Sequence, residues 1–168
     1  MRATFRERLK NIDYRKEKED IVTEKAVALI EKYGYKKIAV YLSFGTELST
    51  DNLIKALFEK NKYVYAPVVT DDFNLVFTRI YPDTEYFINS FGIREPKISE
   101  PETDFDAIFV PLLAFDGDGR RLGRGKGCYD KFLSTSRAKK IGLAFAEQKV
   151  ETVPTEETDV KLDRVIYF

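Results

Sequence analysis

Histidine is absent from this 168-residue chain, and cysteine and methionine occur once each. Without an imidazole there is no histidine base and no histidine-ligated zinc or iron site. Cys128 alone makes neither an intrachain disulfide nor a thiolate metal cage, and that usage suits a reducing cytoplasm. Net charge is missing too: 28 basic and 28 acidic residues cancel, so no global field draws the chain to nucleic acid or an anionic membrane. Apolar runs of membrane-spanning length are lacking. The N-terminus, with Met1, Arg2, Arg6 and Arg8, leads into a charged amphipathic helix rather than the apolar core of a signal peptide. The expectation is a cytoplasmic monomer without membrane or nucleic-acid partners. Its chemistry must rest on carboxylates, lysine, arginine, tyrosine, backbone N–H groups and a hard cation. Phosphoryl transfer suits that inventory, because it is mainly positioning and charge neutralisation.

What is present reads as an α/β fold over a single domain, residues 1–168: an open, largely parallel sheet with helices on both faces. Residues 2–11 form a short helix. From Lys16 to Tyr33 a second has Val22, Ala26, Leu29, Ile30 and Tyr33 on one face, with Gly34 as its stop. Lys37–Leu42 reads as a buried strand and Asp51–Lys60 as a helix. Tyr63–Val69 and Leu75–Ile80 are strands around a turn at Asp71–Asp72. Phe105–Val110 is a buried strand, followed by a helix from Gly127 to Ser134, and Lys140–Phe145 and Arg164–Phe168 are the last strands. Ligands of such sheets sit beyond the carboxyl ends of the strands. Three loops qualify, each with an acid near its start: Glu47, Asp116 and Glu147.

The densest signal is Pro111–Leu133, PLLAFDGDGRRLGRGKGCYDKFL. Glycines at 117, 119, 123, 125 and 127 alternate with Arg120, Arg121, Arg124 and Lys126. Backbone amides of a glycine loop, fixed cations and the start of a helix after Gly127 together suit a polyanion such as a nucleoside triphosphate. The loop is neither a Walker A motif nor a dinucleotide fingerprint: the glycine and hydroxyl that the first needs are Arg120 and Gly127, and a glycine of the second falls on Cys128.

In its order of motifs the chain resembles the 5-formyltetrahydrofolate cyclo-ligase family, also called methenyltetrahydrofolate synthetases. The glycine loop is similar to that family's signature, and YLSFGTELST, FGIREP and GLAFAEQ…VPTEETDVKLDRVIY follow its pattern elsewhere. Arg2-Ala-Thr-Phe-Arg6 stands where the family has a Lys-x-x-Leu-Arg segment. The resemblance implies ATP- and Mg²⁺-dependent conversion of 5-formyltetrahydrofolate to 5,10-methenyltetrahydrofolate. By position, Arg2, Arg6, Arg121, Leu122, Gly123, Arg124, Gly125, Lys126, Gly127, Cys128 and Tyr129 would bind ATP. Leu42 and Glu47 would contact the folate, with Arg124, Gly125, Lys126, Gly127 and Cys128 bordering both ligands. Asp130 and Asp159 would hold Mg²⁺. Cys128 departs from the family's tyrosine, Arg2 from its lysine, and Thr158 from its common histidine.

Within that frame Lys126, Arg124 and Glu47 are the expected catalytic residues. Phe44, Tyr65, Phe91 and Phe115 are candidates for a ring-stacking wall. Because the Glu47 loop and the glycine loop follow different strands, Glu47 is expected to serve the folate independently of the nucleotide. Two alternatives stand beside this reading. A relative could keep ATP binding and act on another metabolite. An RNA-binding module could use the Arg/Gly loop and exposed tyrosines, against which stand the zero net charge and the interleaved Asp116, Asp118 and Asp130.

Overall fold

Alternation of buried positions sorts the strands into two faces, and the helices follow from it. The computed structural model describes residues 1–168. In chain order the elements are α1 (Arg2–Lys10), α2 (Arg15–Tyr33), β1 (Lys37–Val40), α3 (Asp51–Glu59), β2 (Tyr63–Val69), β3 (Leu75–Ile80), β4 (Tyr86–Ile88) and β5 (Arg94–Pro96). They continue with β6 (Pro101–Glu102), β7 (Ala107–Val110), β8 (Ala114–Phe115), β9 (Arg121–Leu122), α4 (Cys128–Leu133), β10 (Lys139–Ala144) and β11 (Arg164–Tyr167). Ile38, Val40, Val64, Ala66, Ala107, Phe109, Ile141 and Leu143 pack on one face with α1, α2 and α3. Ala39, Tyr65, Ile108, Val110 and Ala144 point the other way, into a smaller core closed by Leu133 of α4. Every residue of β7 is buried, as a central parallel strand covered on both faces requires.

Seven strands form the main sheet in the order β11-β10-β7-β1-β2-β3-β6. β1 pairs in parallel with β2 on one side and β7 on the other, and β7, β10 and β11 continue the parallel run. β3 and β6 add an antiparallel edge. The chain thus leaves β1 in one direction through α3 and returns at β7 on the opposite side. That reversal opens a crevice at the carboxyl ends of β1 and β7, where open α/β sheets bind ligands. The loops entering the crevice are Tyr41–Thr50 and the glycine loop.

α2 buries Val22, Ala26, Leu29 and Ile30, one stripe at helical spacing, and ends at Gly34 as the sequence predicts; Tyr33, expected on that face, is instead exposed at the helix end and stacks on Tyr35. β1 stops at Val40, two residues short of the expected end: Tyr41 and Leu42 stay buried but leave the ladder to begin the Glu47 loop. Phe105 likewise precedes β7, because the Asp106 carboxylate accepts N–H bonds from Lys36 and Lys37 and anchors the strand entry there. The hairpin β4–β5, the edge strand β6 and the pair β8–β9 lie outside the sequence reading. Each has two or three residues per strand, too few to show a period of two.

Candidate active site

The expected glycine loop is partly ordered structure. β8 and β9 pair within it, and Asp116 fixes their turn by accepting N–H bonds from Asp118, Arg120 and, across the chain, Val153. Burial works to raise the Asp116 pKa, but those amides and the Arg120 guanidinium prevail and hold it below the usual carboxylate range. Asp116 is thus a structural acid, buried and outside the lining of the cleft. Glu147 is likewise outside the crevice, paired with Lys18 of α2. Of the acids at the heads of the three loops, only Glu47 lines the cleft.

Arg121 sits on β9 with its side chain almost wholly buried, donating to Asp130 Oδ1 at 3.1 Å and to the Pro111 carbonyl at 3.4 Å. A Cβ at Gly123 would lie 2.8 Å from Arg121 Nη1, so a side chain there would displace the end of this guanidinium. Gly125 takes φ +108°, a conformation that side chains avoid, and Arg2 lies against it. Arg2 Nε donates to the Gly123 carbonyl at 2.9 Å, which seats α1 on the loop through the buried anchors Phe5 and Leu9. α4 begins after Gly127 as expected but has only six residues. Its dipole is correspondingly short, and the anion site rests more on loop amides and cations.

Arg124 joins the two sides of the cleft. Its Nε donates to Glu47 Oε1 at 2.8 Å and its Nη2 to the Phe44 carbonyl at 3.2 Å, with the guanidinium 5.3 Å from the Phe44 ring centre. Glu47 Oε2 accepts the Phe44 N–H at 2.8 Å. Burial raises the Glu47 pKa above its ordinary value, and Arg124 and the Phe44 amide offset part of that rise. The expected independence of Glu47 from the nucleotide loop is therefore corrected: one ion pair belongs to both. Tyr129, packed nearby, has its phenol kept neutral by burial and by the Glu47 charge.

Lys126 points across the cleft, its Nζ 3.6 Å from the Phe91 ring centre and 5.0 Å from that of Phe73. Phe44, Phe73 and Phe91 line the cleft, whereas Tyr65 packs on Phe105 and Phe115 on Tyr167 in the interior. Tyr65 and Phe115 thus drop out of the proposed wall, and Phe73 replaces them. Phe73 sits at φ 57° in the tight β2–β3 turn, a placement that an isolated phenylalanine between polar residues does not signal. Ile93 and Glu95 reach the cleft through the unforeseen β4–β5 hairpin, beside Pro67 and Val69 of β2.

The cleft measures about 1410 Å³, above the roughly 300–1,000 Å³ of a pocket for one small ligand. Arg2, Arg6, Leu42, Glu47, Arg121 through Asp130, and Asp159 all line it. Asp130 accepts from Arg121 and from the Val160 N–H, both on Oδ1, and Asp159 accepts the Glu156 N–H on Oδ2. Neither acid has its second oxygen engaged by these bonds, and no group of three Asp, Glu, Cys or His residues forms a metal cage. Such a donor set fits Mg²⁺, which is usually held by one or two carboxylates with phosphate and water oxygens completing the shell. Arg120, paired to Asp116 and Asp118, and Arg121, paired to Asp130, are not free for an extended polyanion. That weakens the RNA-binding alternative.

No helix is long and apolar enough to cross a membrane. The 5-formyltetrahydrofolate cyclo-ligase family profile matches residues 1–168. A 5-formyltetrahydrofolate cyclo-ligase of Haemophilus influenzae is 45% identical over 154 residues, covering 86% of this chain and 82% of that protein. The Escherichia coli K12 enzyme of the same name is 38% identical over 138 residues, covering 77% and 76%. The solution structure of the Aquifex aeolicus 5,10-methenyltetrahydrofolate synthetase superposes with a TM-score of 0.82 at 29% identity, covering 99% of this chain and 87% of that one. The Mycoplasma pneumoniae synthetase gives 0.77 at 25% identity, covering 98% and 94%. With its whole length matched and its fold shared, the chain belongs to the 5-formyltetrahydrofolate cyclo-ligase family.

Proposed function

We propose that the protein converts 5-formyltetrahydrofolate to 5,10-methenyltetrahydrofolate with cleavage of ATP to ADP and phosphate. The observation that carries this reading is the Arg124–Glu47 bridge, which places a cationic glycine loop and a buried carboxylate in one cleft large enough for two substrates. The triphosphate lies along Gly123–Gly127, with Arg2 and Arg6 of α1 closing over it. The reduced folate lies between Leu42, Glu47 and the Phe44, Phe73 and Phe91 rings. The acting unit in this reading is a monomer in a reducing cytoplasm, in keeping with a chain whose one cysteine is Cys128.

The formamide oxygen is a poor leaving group and must be activated. It attacks the γ-phosphorus, the bond to the bridging oxygen breaks, and ADP leaves. N10 then attacks the resulting imidate carbon, and phosphate departs with the former formyl oxygen. Lys126, Arg124 and the loop amides neutralise charge that grows on the transferred group. Glu47, its pKa raised by burial, takes the N10 proton. Asp130 and Asp159 would hold Mg²⁺, which when bound adds charge neutralisation at the phosphates.

Mixing the protein with ATP, Mg²⁺ and 5-formyltetrahydrofolate should produce the methenyl chromophore in step with ADP. ATP binding without the chromophore would instead favour a relative that acts on another metabolite. Oxygen-18 in the formyl group should emerge in phosphate. Its appearance in water would remove direct phosphoryl activation from the mechanism.

A further inference from the structure

Behind the cleft, and outside its lining, the side chain of Arg15 joins α1 to the Glu47 loop. It lies in the first turn of α2, about two-thirds buried. Nη2 donates to the Leu9 carbonyl at 2.6 Å and the Thr46 carbonyl at 3.3 Å, and Nη1 to the Glu47 carbonyl at 3.5 Å. Nη1 also pairs with Glu19 Oε1 at 3.1 Å, and that same oxygen accepts the Ser49 N–H. The guanidinium plane sits 4.7 Å from the ring centre of the buried Phe145.

These bonds have a common geometry. The Leu9 carbonyl belongs to the last turn of α1, where helix carbonyls have no partner of their own. α1 is also the helix whose Arg2 holds the Gly123 carbonyl. Thr46, Glu47 and Ser49 form the back of the loop whose front presents the Glu47 carboxylate to Arg124. One planar fork with five donors can hold acceptors on separate segments at fixed angles, which a single ammonium cannot.

We propose that Arg15, with Glu19, is a positioning residue that sets the nucleotide-side helix and the Glu47 loop against each other. Removing it loosens both substrate subsites together. The proposal rests on the two-substrate reading of the cleft for its kinetic part only.

Arg15→Lys keeps the ion pair with Glu19 but not the fork, and Arg15→Met keeps only the stem. In Arg15→Met, KM should rise about tenfold for both ATP and 5-formyltetrahydrofolate, the scale of one lost bond to a charged group. Arg15→Lys should fall between it and the parent. Amide exchange in the substrate-free protein should accelerate at Glu47 and Ser49 while β1 and β7 keep their protection. Unchanged loop exchange in a folded variant, exchange rising equally through β1 and β7, or a KM change for only one substrate would each overturn the proposal. The exchange result stands apart from the reaction: a parent protein that makes no methenyl product refutes the activity, whereas the loop measurement still decides the role of Arg15.

Discussion

Glu47→Gln tests the buried bridge by two readouts of opposite sign. The carboxylate accepts one bond from the Arg124 guanidinium and one from the Phe44 N–H. An amide keeps one acceptor oxygen, so its NH₂ must face one of these donors and that donor is left unpaired. Losing a hydrogen bond to a charged group amounts to about 1.5–3 kcal/mol, or roughly ten- to a hundredfold in the affinity it supports. Because the lost bond also holds Arg124, KM should rise for ATP as well as for the folate. Stability should move differently. Glu47 has a pKa raised above its ordinary 4.5, mainly by burial. Its contribution to the fold is therefore fully present below pH 4.5 and is lost as pH rises through the higher folded value. Glutamine does not ionise. The melting temperature of the variant minus that of the parent should thus climb as pH increases from 4.5 and then level off. Melting curves across that range, with initial rates at neutral pH, provide both measurements. A temperature difference flat with pH would refute the buried-charge argument. A folate KM that rises alone would refute the coupling through Arg124.

Lys126→Ala should lose about 2–4 kcal/mol of transition-state stabilisation, the scale of one preorganised donor, read as a fall in kcat/KM. Its melting temperature should change little, since Lys126 meets only the half-exposed rings of Phe73 and Phe91; near-normal turnover would remove it from the chemistry. Asp159→Asn should raise the Mg²⁺ concentration needed for activity without a change in stability, checked by a metal titration beside a melt. Asp130→Asn should raise it too and also destabilise the fold, by up to about 3–5 kcal/mol, because it leaves the buried Arg121 guanidinium without its counter-charge. Equal melting temperatures for the two variants would show that Arg121 does not depend on Asp130.

Much of the sheet was legible because its strands are long or wholly apolar. Tyr63–Val69 and Leu75–Ile80 have the predicted bounds, and AIFV of β7 could only be buried. The stripe of α2 and its stop at Gly34 were equally plain. What escaped was short or held by side chains. β8 and β9 owe their turn to Asp116, whose acid resembled a ligand in the sequence but is consumed by three amides. Glu47, Leu42 and the glycine-loop residues of the cleft were legible as a family pattern, yet their mutual bonds were not. Nothing in one sequence says that Glu47 and Arg124, 77 positions apart, share a hydrogen bond, or that Phe73 rather than Tyr65 faces the cleft.

The place of β1 in the middle of the sheet bears on how the chain folds. β1, α3, β2 and β3 are consecutive and can collapse as a local unit, whereas the other edge of β1 waits for β7, far along the chain. Loop closure of that length is slow, and an unpaired apolar strand is prone to associate with another chain meanwhile. During synthesis the half ending at β3 would therefore expose Ile38, Ala39 and Val40 along an open edge until Ala107–Val110 arrives. Fragments that end before β7 should aggregate rather than persist as a subdomain. The crevice that receives the substrates is then among the last parts of the molecule to come into being.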